Sequence, residues 1–120
     1  MNKTDVIIYG IPNCDTIKKA RHWLNEHDID YRFHNYRKDG LTASMLENFE
    51  AHLGWQALLN KRGSTYRQLS DEQKNSLDRQ NALALLLEYP AMIKRPLLVW
   101  QDQYLLGFSA ECYHSFFALQ

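Results

Sequence analysis

The sequence predicts a single α/β domain with a mixed sheet of about four strands, on the basis of three observations. Two β-branched or aromatic segments, residues 6–9 and 31–36, flank a helical repeat of apolar residues, which is the pattern of a parallel strand–helix–strand unit. Two further apolar segments, 97–100 and 104–106, lie on either side of a short polar turn and predict an antiparallel hairpin. The 120 residues fit one domain, and their 45% hydrophobic and 23% charged content is typical of a globular protein.

The composition argues against several classes of function. The 14 basic side chains equal the 14 acidic ones, whereas broad nucleic-acid binding and attachment to anionic membranes need a surplus of Lys and Arg. The leucine-rich apolar run at residues 83–87 is far shorter than the ~20 residues of a spanning helix. The five histidines and two cysteines lack the spacing of a metal site. We therefore expect a cytoplasmic protein without a bound metal or cofactor.

The first half of the chain predicts a strand, a turn, a helix and a second strand. The first strand ends at a turn marked by Gly10 and Pro12, and apolar residues then recur at helical spacing over residues 15–26. Residues 31–36 alternate aromatic and polar side chains and predict a second strand parallel to the first. Cys14 is therefore expected where a strand gives way to a helix.

Several helices are predicted between this unit and the hairpin. Thr42 is expected to cap a helix that runs to about residue 53, with further helical segments at 55–60 and 70–77 and a loop at 61–64. Residues 81–89 are apolar on nearly every side and predict a buried helix.

The last predicted element is a helix capped by Ser109. Taken in order, the elements are those of a thioredoxin-like fold with a helical insertion at roughly residues 41–90. Nothing in the sequence marks a domain boundary, so we expect residues 1–120 to form one domain.

Cys14 is the strongest candidate for chemistry. A thiol at a helix N-terminus has its pKa lowered by the helix dipole and by free backbone N–H groups. The Lys18 ammonium, one helical turn further on, and the Thr16 hydroxyl would add to this effect. The alternative interpretation is a small packed residue, as most free cysteines are. Ile17 stands where a Cys-x-x-Cys motif would have its second cysteine, so an external thiol such as glutathione would have to resolve any intermediate.

Three further residues have weaker individual signals. A proline just before a strand, Pro96, suggests a special backbone geometry such as a cis bond, and in thioredoxin-like folds such a proline faces the active cysteine. Arg95 would then lie near the thiol and could bind a carboxylate or oxyanion, although it could equally be a surface arginine. Arg62 is a second candidate anion contact, although cationic loop residues are mostly solvated. Cys112, on an apolar helix face, is interpreted as a packed core residue.

Cys14, Arg62 and the Arg95–Pro96 pair fall in three segments of the chain, and a fourth segment belongs to the predicted hairpin. The segments are residues 6–20 around Cys14, 59–67 around Arg62, 92–98 around Arg95 and Pro96, and 106–108 in the hairpin. Each is a weak signal alone, but in this order and spacing they resemble the arsenate reductase-like family, which includes ArsC and Spx proteins. The resemblance covers essentially the whole chain and is closest to the small YffB-like branch.

The resemblance implies a thioredoxin-like core, a helical insertion and a catalytic Cys14. In the family's arsenate reductases the matching cysteine attacks the oxyanion, arginines matching Arg62 and Arg95 hold it, and glutathione with glutaredoxin completes the cycle. Those enzymes use a third arginine near the closing hairpin, where residues 104–108 here contain no cation. The loss of one guanidinium contact would weaken the hold on a multiply charged oxyanion by about 1.5–3 kcal/mol, which disfavours arsenate as the substrate.

We therefore expect a monomeric, glutathione-dependent thiol/disulfide reductase that uses one nucleophilic cysteine. Its partners would be glutathione or another thiol/disulfide substrate, with glutaredoxin as a candidate. The expected roles are catalysis by Cys14, stabilisation of its thiolate by Asn13, Thr16 and Lys18, and binding of substrate or glutathione by Arg62, Arg95 and Pro96.

Two alternatives remain open at this stage. The first is an Spx-like redox-responsive regulator that binds RNA polymerase, although regulators of this type that sense by disulfide formation use Cys-x-x-Cys. The second is a genuine arsenate reductase linked to glutaredoxin.

Overall fold

The computed structural model describes residues 5–118, which fall into two compact units. The first, here called the sheet unit, contains residues 5–39 and 95–118 of the described chain. The second, the helical unit, is Gly40–Lys94, which is close to the insertion expected from the sequence. Each unit is described by itself.

The order of the elements follows the predicted one closely. In chain order they are β1 (Val6–Gly10), α1 (Asp15–Glu26), β2 (Tyr31–Asn35), α2 (Ala43–Leu53), α3 (Trp55–Leu58), α4 (Ser64–Arg67), α5 (Asp71–Asn75), α6 (Arg79–Glu88), a 3₁₀ turn (Pro90–Met92), β3 (Leu97–Trp100), β4 (Gln103–Leu106) and α7 (Ala110–Phe116). The α/β fold class, the strand–helix–strand unit, the hairpin and the final helix are all confirmed. Within residues 5–118, none of the helices combines the length and apolar character needed to span a bilayer.

The sheet unit is a four-stranded mixed sheet in the order β2-β1-β3-β4. Strands β1 and β2 are parallel, with Ile8 opposite Phe33, whereas β3 is antiparallel to both β1 and β4. Because side chains alternate along a strand, every second residue of β1 is buried. The core combines one face of the sheet with α1 and α7, through Val6, Ile8, Ala20, Trp23, Leu24, Ile29, Leu98, Trp100, Tyr113 and Phe117.

Gly10 is the last residue of β1 and allows α1 to begin close to the strand. A Cβ atom built on Gly10 would collide with the side chain of Ile17, which is fully buried in the first turns of α1. The absence of a side chain at Gly10 therefore sets how closely the start of the helix approaches the end of the strand.

The helical unit is held by local caps and by a closing pair of hydrogen bonds. Thr42 accepts a hydrogen bond from the backbone N–H of Met45 at 3.1 Å, so it caps α2 as expected. Ser70 caps α5 in a reciprocal capping box with Gln73. At the base of the unit, the backbone N–H of Lys94 donates to the carbonyl of Leu58, and the N–H of Asn60 donates to the carbonyl of Met92, each at 2.8 Å.

The prediction that residues 81–89 form a buried helix is wrong. Helix α6 begins earlier, at Arg79, and only Ala82 and Leu86 are buried in it, whereas Leu87 is 40% and Tyr89 37% exposed. Within its unit, α6 packs on α2, α3 and the 3₁₀ turn, so only part of its circumference meets other elements. An apolar pattern on all sides of a helix does not reveal how many sides have neighbours.

The prediction that Cys112 is a packed core residue is also wrong, because its side chain is exposed. In α7 the buried positions are Tyr113 and, one helical turn later at its end, Phe117. Cys112 comes directly before Tyr113 and therefore lies on a different face of the helix. Two smaller differences are that α3 ends at Leu58 and that α4 begins inside the predicted loop.

Substitution of Gly10 by Ala is expected to destabilise the sheet unit. The new methyl group would displace Ile17 from a fully buried site, and overpacking of this kind costs about 1–3 kcal/mol in free energy of unfolding. Gly63→Ala is the control. A Cβ there would lie 3.4 Å from Asn60 Nδ2, and the φ of Gly63, −78°, is one that alanine readily adopts. The free energy of unfolding of this variant should therefore stay within about 0.5 kcal/mol of the wild-type value. Urea denaturation measures the free energy of unfolding of each variant. Equal values for the two variants would contradict the close approach of Ile17 to Gly10.

Candidate active site

Cys14 is the N-cap residue of α1, at the junction between the β1 turn and the helix. Its backbone is extended, with φ −108° and ψ 126°, and its carbonyl accepts the first helical hydrogen bond, from the N–H of Lys18 at 3.1 Å. The side chain is half-buried. The first N–H groups of a helix have no partner inside the helix, so the thiol lies where donors are available.

The surroundings of Cys14 favour the thiolate. Burial of the sulfur acts to raise the pKa of Cys14, but hydrogen bonds from the Ile17 N–H, the Arg95 side chain and the Thr16 N–H, together with the charge of Arg95, lower the pKa below that of an ordinary thiol. All of these donors favour the charged form of the sulfur. The site therefore carries a thiolate at a lower pH than a solvent-exposed cysteine would.

The predicted thiolate-stabilising residues contribute differently from what was expected. Thr16 acts through its backbone N–H, not through the predicted hydroxyl. Lys18 has an exposed side chain, and its contact with Cys14 is through the backbone, so the structure gives its ammonium no part in lowering the thiol pKa. In the sequence, Ile17 stands where a second cysteine would be, and in the structure its N–H is the leading hydrogen-bond donor to the sulfur. Asn13 is exposed beside Cys14, and its role stays a prediction.

Arg95 and Pro96 lie where the thioredoxin-like order suggests. The Arg95–Pro96 peptide bond is cis, as the sequence led us to expect. Arg95 is half-buried, and its side chain donates a hydrogen bond to the Cys14 sulfur, so it is not a solvated surface residue. Pro96 is buried, and its carbonyl accepts a hydrogen bond from the N–H of Gly107 at 2.9 Å, which ties the start of β3 to the end of the hairpin. Whether Pro96 also contacts a substrate stays a prediction.

The sequence did not identify Tyr36 as part of this site. Tyr36 follows β2, is 3% exposed, and its N–H donates to the carbonyl of Gly10 at 3.0 Å. Burial and the neighbouring Tyr9 raise the pKa of Tyr36, while the Arg95 guanidinium lowers it. The sequence did contain a signal, because Tyr31 and Phe33 alternate with polar residues, whereas Tyr36 comes three residues after Phe33 and breaks that alternation.

Arg62 lies in the helical unit, in a loop whose conformation is held by its neighbours. Its N–H donates to Asn60 Oδ1 at 3.1 Å, and its carbonyl accepts from Arg67 Nη2 at 3.0 Å. The side chain of Arg62 is exposed. Its contact with an anionic substrate stays a prediction. Among residues 5–118, no group of three His, Cys, Asp or Glu side chains could hold a metal ion.

Comparison with known proteins decides the family. Residues 9–116 match the ArsC family. The chain belongs to the ArsC family. A solved protein named YFFB (PA3664) has 44% sequence identity and a TM-score of 0.87, over 92% of this chain and 96% of that one.

Two other ArsC relatives show the range of the family. An arsenate reductase (ArsC) related protein from Brucella melitensis has 43% identity and a TM-score of 0.80, over 99% of both chains. The global transcriptional regulator Spx of Listeria innocua is 26% identical over 108 residues, 88% of this chain and 82% of Spx. This ArsC protein is thus related both to arsenate reductases and to Spx regulators.

Replacing Arg95 by Gln is expected to raise the pKa of Cys14. The substitution removes a hydrogen bond and a positive charge from the sulfur, and the thiolate-to-thiol ratio at neutral pH should fall roughly tenfold. The initial rate of alkylation by iodoacetamide, measured in a Cys112→Ser background in which Cys14 is the one remaining cysteine, reports the thiolate form of Cys14. Arg32→Gln makes the same change of charge at an exposed position on β2 and should leave the rate unaltered. Equal rates for the two variants would refute the role assigned to Arg95.

Proposed function

We propose that this ArsC protein is a glutathione-dependent thiol/disulfide reductase that uses Cys14 as its single nucleophile. The observation that carries the proposal is a half-buried thiol that receives hydrogen bonds from two backbone N–H groups and from Arg95. Ile17, three residues after Cys14, leaves no second thiol in that turn. A stabilised thiolate without a neighbouring cysteine suits exchange with a small external thiol.

The proposed cycle has two exchange steps. The Cys14 thiolate attacks the glutathionyl sulfur of a mixed disulfide between glutathione and a substrate thiol. A Cys14–glutathione disulfide forms, and the substrate leaves as a thiolate that takes a proton from solvent. A second glutathione thiolate then attacks the glutathionyl sulfur, which releases oxidised glutathione and restores the Cys14 thiolate. Over one cycle, the disulfide between substrate and glutathione is exchanged for the disulfide of oxidised glutathione, so each turnover consumes one free glutathione thiol and releases one substrate thiol.

The remaining residues have proposed roles in binding. The Arg62 and Arg95 guanidinium groups suit the carboxylates of glutathione, which are separate anions and need less charge than one compact oxyanion. Asn13 and the backbone near Pro96 are proposed to contact glutathione as well. We propose that the protein acts in the cytoplasm as a monomer, with glutaredoxin as a candidate partner.

Two other functions have specific support within the family. Similarity to the global transcriptional regulator Spx of Listeria innocua supports a transcriptional regulator, which would respond to redox state and bind RNA polymerase, as the family resemblance implies. Similarity to the Brucella melitensis protein supports arsenate reduction. We place both below the thiol reductase, because Ile17 replaces the second cysteine of a Cys-x-x-Cys switch and residues 104–108 lack a cation.

Cys14→Ser should abolish exchange, whereas Cys112→Ser should not. In a coupled assay with glutathione, glutathione reductase and a glutathionylated protein, Cys14→Ser should lose at least about a hundredfold in rate, because a hydroxyl is not ionised near pH 7. Cys112 is exposed on α7 and has no part in the proposed cycle, so its variant is the matched control.

Full activity of Cys14→Ser would reject the proposal. Capture of RNA polymerase by a protein that has no exchange activity would instead favour the regulator. Arsenate turnover that exceeds turnover of the glutathionylated protein would favour the arsenate reductase.

A further inference from the structure

Strand β2 is one edge of the four-stranded sheet, and within residues 5–118 the strand that it pairs with is β1. A strand at an edge carries backbone N–H and C=O groups that no second neighbouring strand satisfies. Such an edge can accept an extended peptide as an additional strand, because main-chain hydrogen bonds supply the affinity and neighbouring side chains supply the specificity. The outer side of β2 is therefore a candidate interaction surface.

One hydrogen bond shows which residues of β2 face β1. The Tyr36 N–H donates to the Gly10 carbonyl at 3.0 Å, so the backbone of Tyr36 points toward β1. The N–H and C=O of one residue point to the same side of a strand, and successive residues alternate between the two sides. Arg32 and His34 lie an even number of residues before Tyr36, so their backbone groups also point toward β1.

Tyr31 and Phe33 direct their backbone groups to the open edge. Asn35 faces the same way, but both of its backbone groups are bonded to Asp39. Its N–H donates to Asp39 Oδ2 at 2.9 Å, and its carbonyl accepts from the Asp39 N–H at 2.7 Å. The open part of the edge therefore consists of Tyr31 and Phe33, whose N–H and C=O groups have no partner in the described part of the chain.

A cavity of about 470 Å³ adjoins this edge on the face of the sheet that packs against α1. Tyr31 and Phe33 line it together with Arg21 and Asn25 of α1. The Arg21 guanidinium carbon lies 4.5 Å from the centroid of the Phe33 ring, and Arg21 Nε donates to the Tyr31 hydroxyl at 3.0 Å. These contacts hold the guanidinium in place. Its two Nη groups have no hydrogen bond or ion pair within residues 5–118.

The charges around β2 favour an acidic partner. Asp30 also lines the cavity, but residues 30–38 contain three cations against this one carboxylate, and Arg21 adds a further cation. The other edge strand, β4, differs in this respect, because residues 97–108 contain no cation. Charge complementarity therefore directs an acidic segment to β2 and not to β4.

A second copy of the chain suits this edge less well than an acidic peptide does. If two β2 strands paired antiparallel with all their free backbone groups bonded, Tyr31 of one copy would lie opposite Phe33 of the other. Arg32 would then lie directly opposite Arg32 of the second copy. Like charges in directly opposite positions destabilise a strand pair.

We propose that the outer edge of β2 binds an extended acidic segment of a partner protein as a fifth strand, with a carboxylate of that segment bound by Arg21. Tyr31 and Phe33 supply the backbone hydrogen bonds. The Arg21 guanidinium can bind a carboxylate in bidentate fashion through its free Nη groups, and it provides the preference for acidic side chains. Cys14 takes no part, so this proposal does not rest on the proposed function.

Amide hydrogen exchange, measured by NMR, tests the added strand. The probe is a short blocked peptide in which glutamate and valine alternate. In the free protein, the N–H groups of Tyr31 and Phe33 should exchange quickly, whereas those of Arg32 and His34 should be protected. Saturating peptide should slow exchange at Tyr31 and Phe33 roughly tenfold or more and leave Arg32 and His34 protected. The same peptide with methylated amide nitrogens should not bind.

Arg21→Gln tests the carboxylate contact. This variant should raise the Kd of the glutamate peptide roughly tenfold, the size of a hydrogen bond between charged groups. Lys19→Gln is the matched control, because it removes the same charge from an exposed position on another face of α1, and it should leave the Kd unchanged. For a peptide with glutamine in place of glutamate, wild type and Arg21→Gln should bind equally, since no carboxylate is present.

The outcomes that would overturn the proposal are distinct. Unchanged exchange at Tyr31 and Phe33 with millimolar peptide would show that no strand is added. Equal weakening by Arg21→Gln and Lys19→Gln would show general attraction between charges, and equal weakening of both peptides by Arg21→Gln would assign Arg21 to packing. Protection that appears with rising protein concentration alone would assign the edge to a second copy. Cys14→Ser should bind the peptide as wild type does, whether or not the proposed function holds.

Discussion

The candidate site depends on the hydrogen bonds between the Cys14 sulfur and the start of α1. A half-buried sulfur is poorly solvated, and burial alone would favour the neutral thiol. The N–H groups of Ile17 and Thr16 and the side chain of Arg95 reverse that preference. The helix supplies two of these three donors at no further cost, because its first turn leaves them without partners. Arg95 adds the positive charge, and it lies two residues before β3, so the site combines the start of α1 with the segment that leads into β3.

Gly10 connects the parts of this arrangement. Its lack of a side chain admits Ile17, whose N–H reaches the sulfur, and its carbonyl anchors Tyr36. Arg95, two residues before β3, also lies close to Gly10. A change at Gly10 would therefore alter the thiol through packing, although Gly10 has no chemical group of its own. This explains why a small residue matters at the end of a strand that is otherwise β-branched and aromatic.

The sequence predicted the local elements well because their signals are local. The alternation in β2, the repeat in α1 and the caps at Thr42 and Ser109 need only neighbouring residues to be recognised. Exposure of Cys112 and of Leu87 depends instead on which helix faces find partners, and that is settled by packing between elements. Tyr36 was missed for the same reason, since its contact with Gly10 joins separate strands. The position of Pro96 in a thioredoxin-like order pointed to Arg95, and the family resemblance strengthened that prediction, whereas periodicity alone could not place Arg95 beside a thiol.

The pH dependence of Cys14 alkylation tests the central claim most directly. The experiment uses iodoacetamide and the Cys112→Ser protein, which has one remaining cysteine, so that the rate reports a single thiol. The account predicts a half-point clearly below the value of about 8.5 for an ordinary thiol, with a plateau at higher pH. A half-point at or above that value would show that burial outweighs the donors around the sulfur, and it would contradict the account.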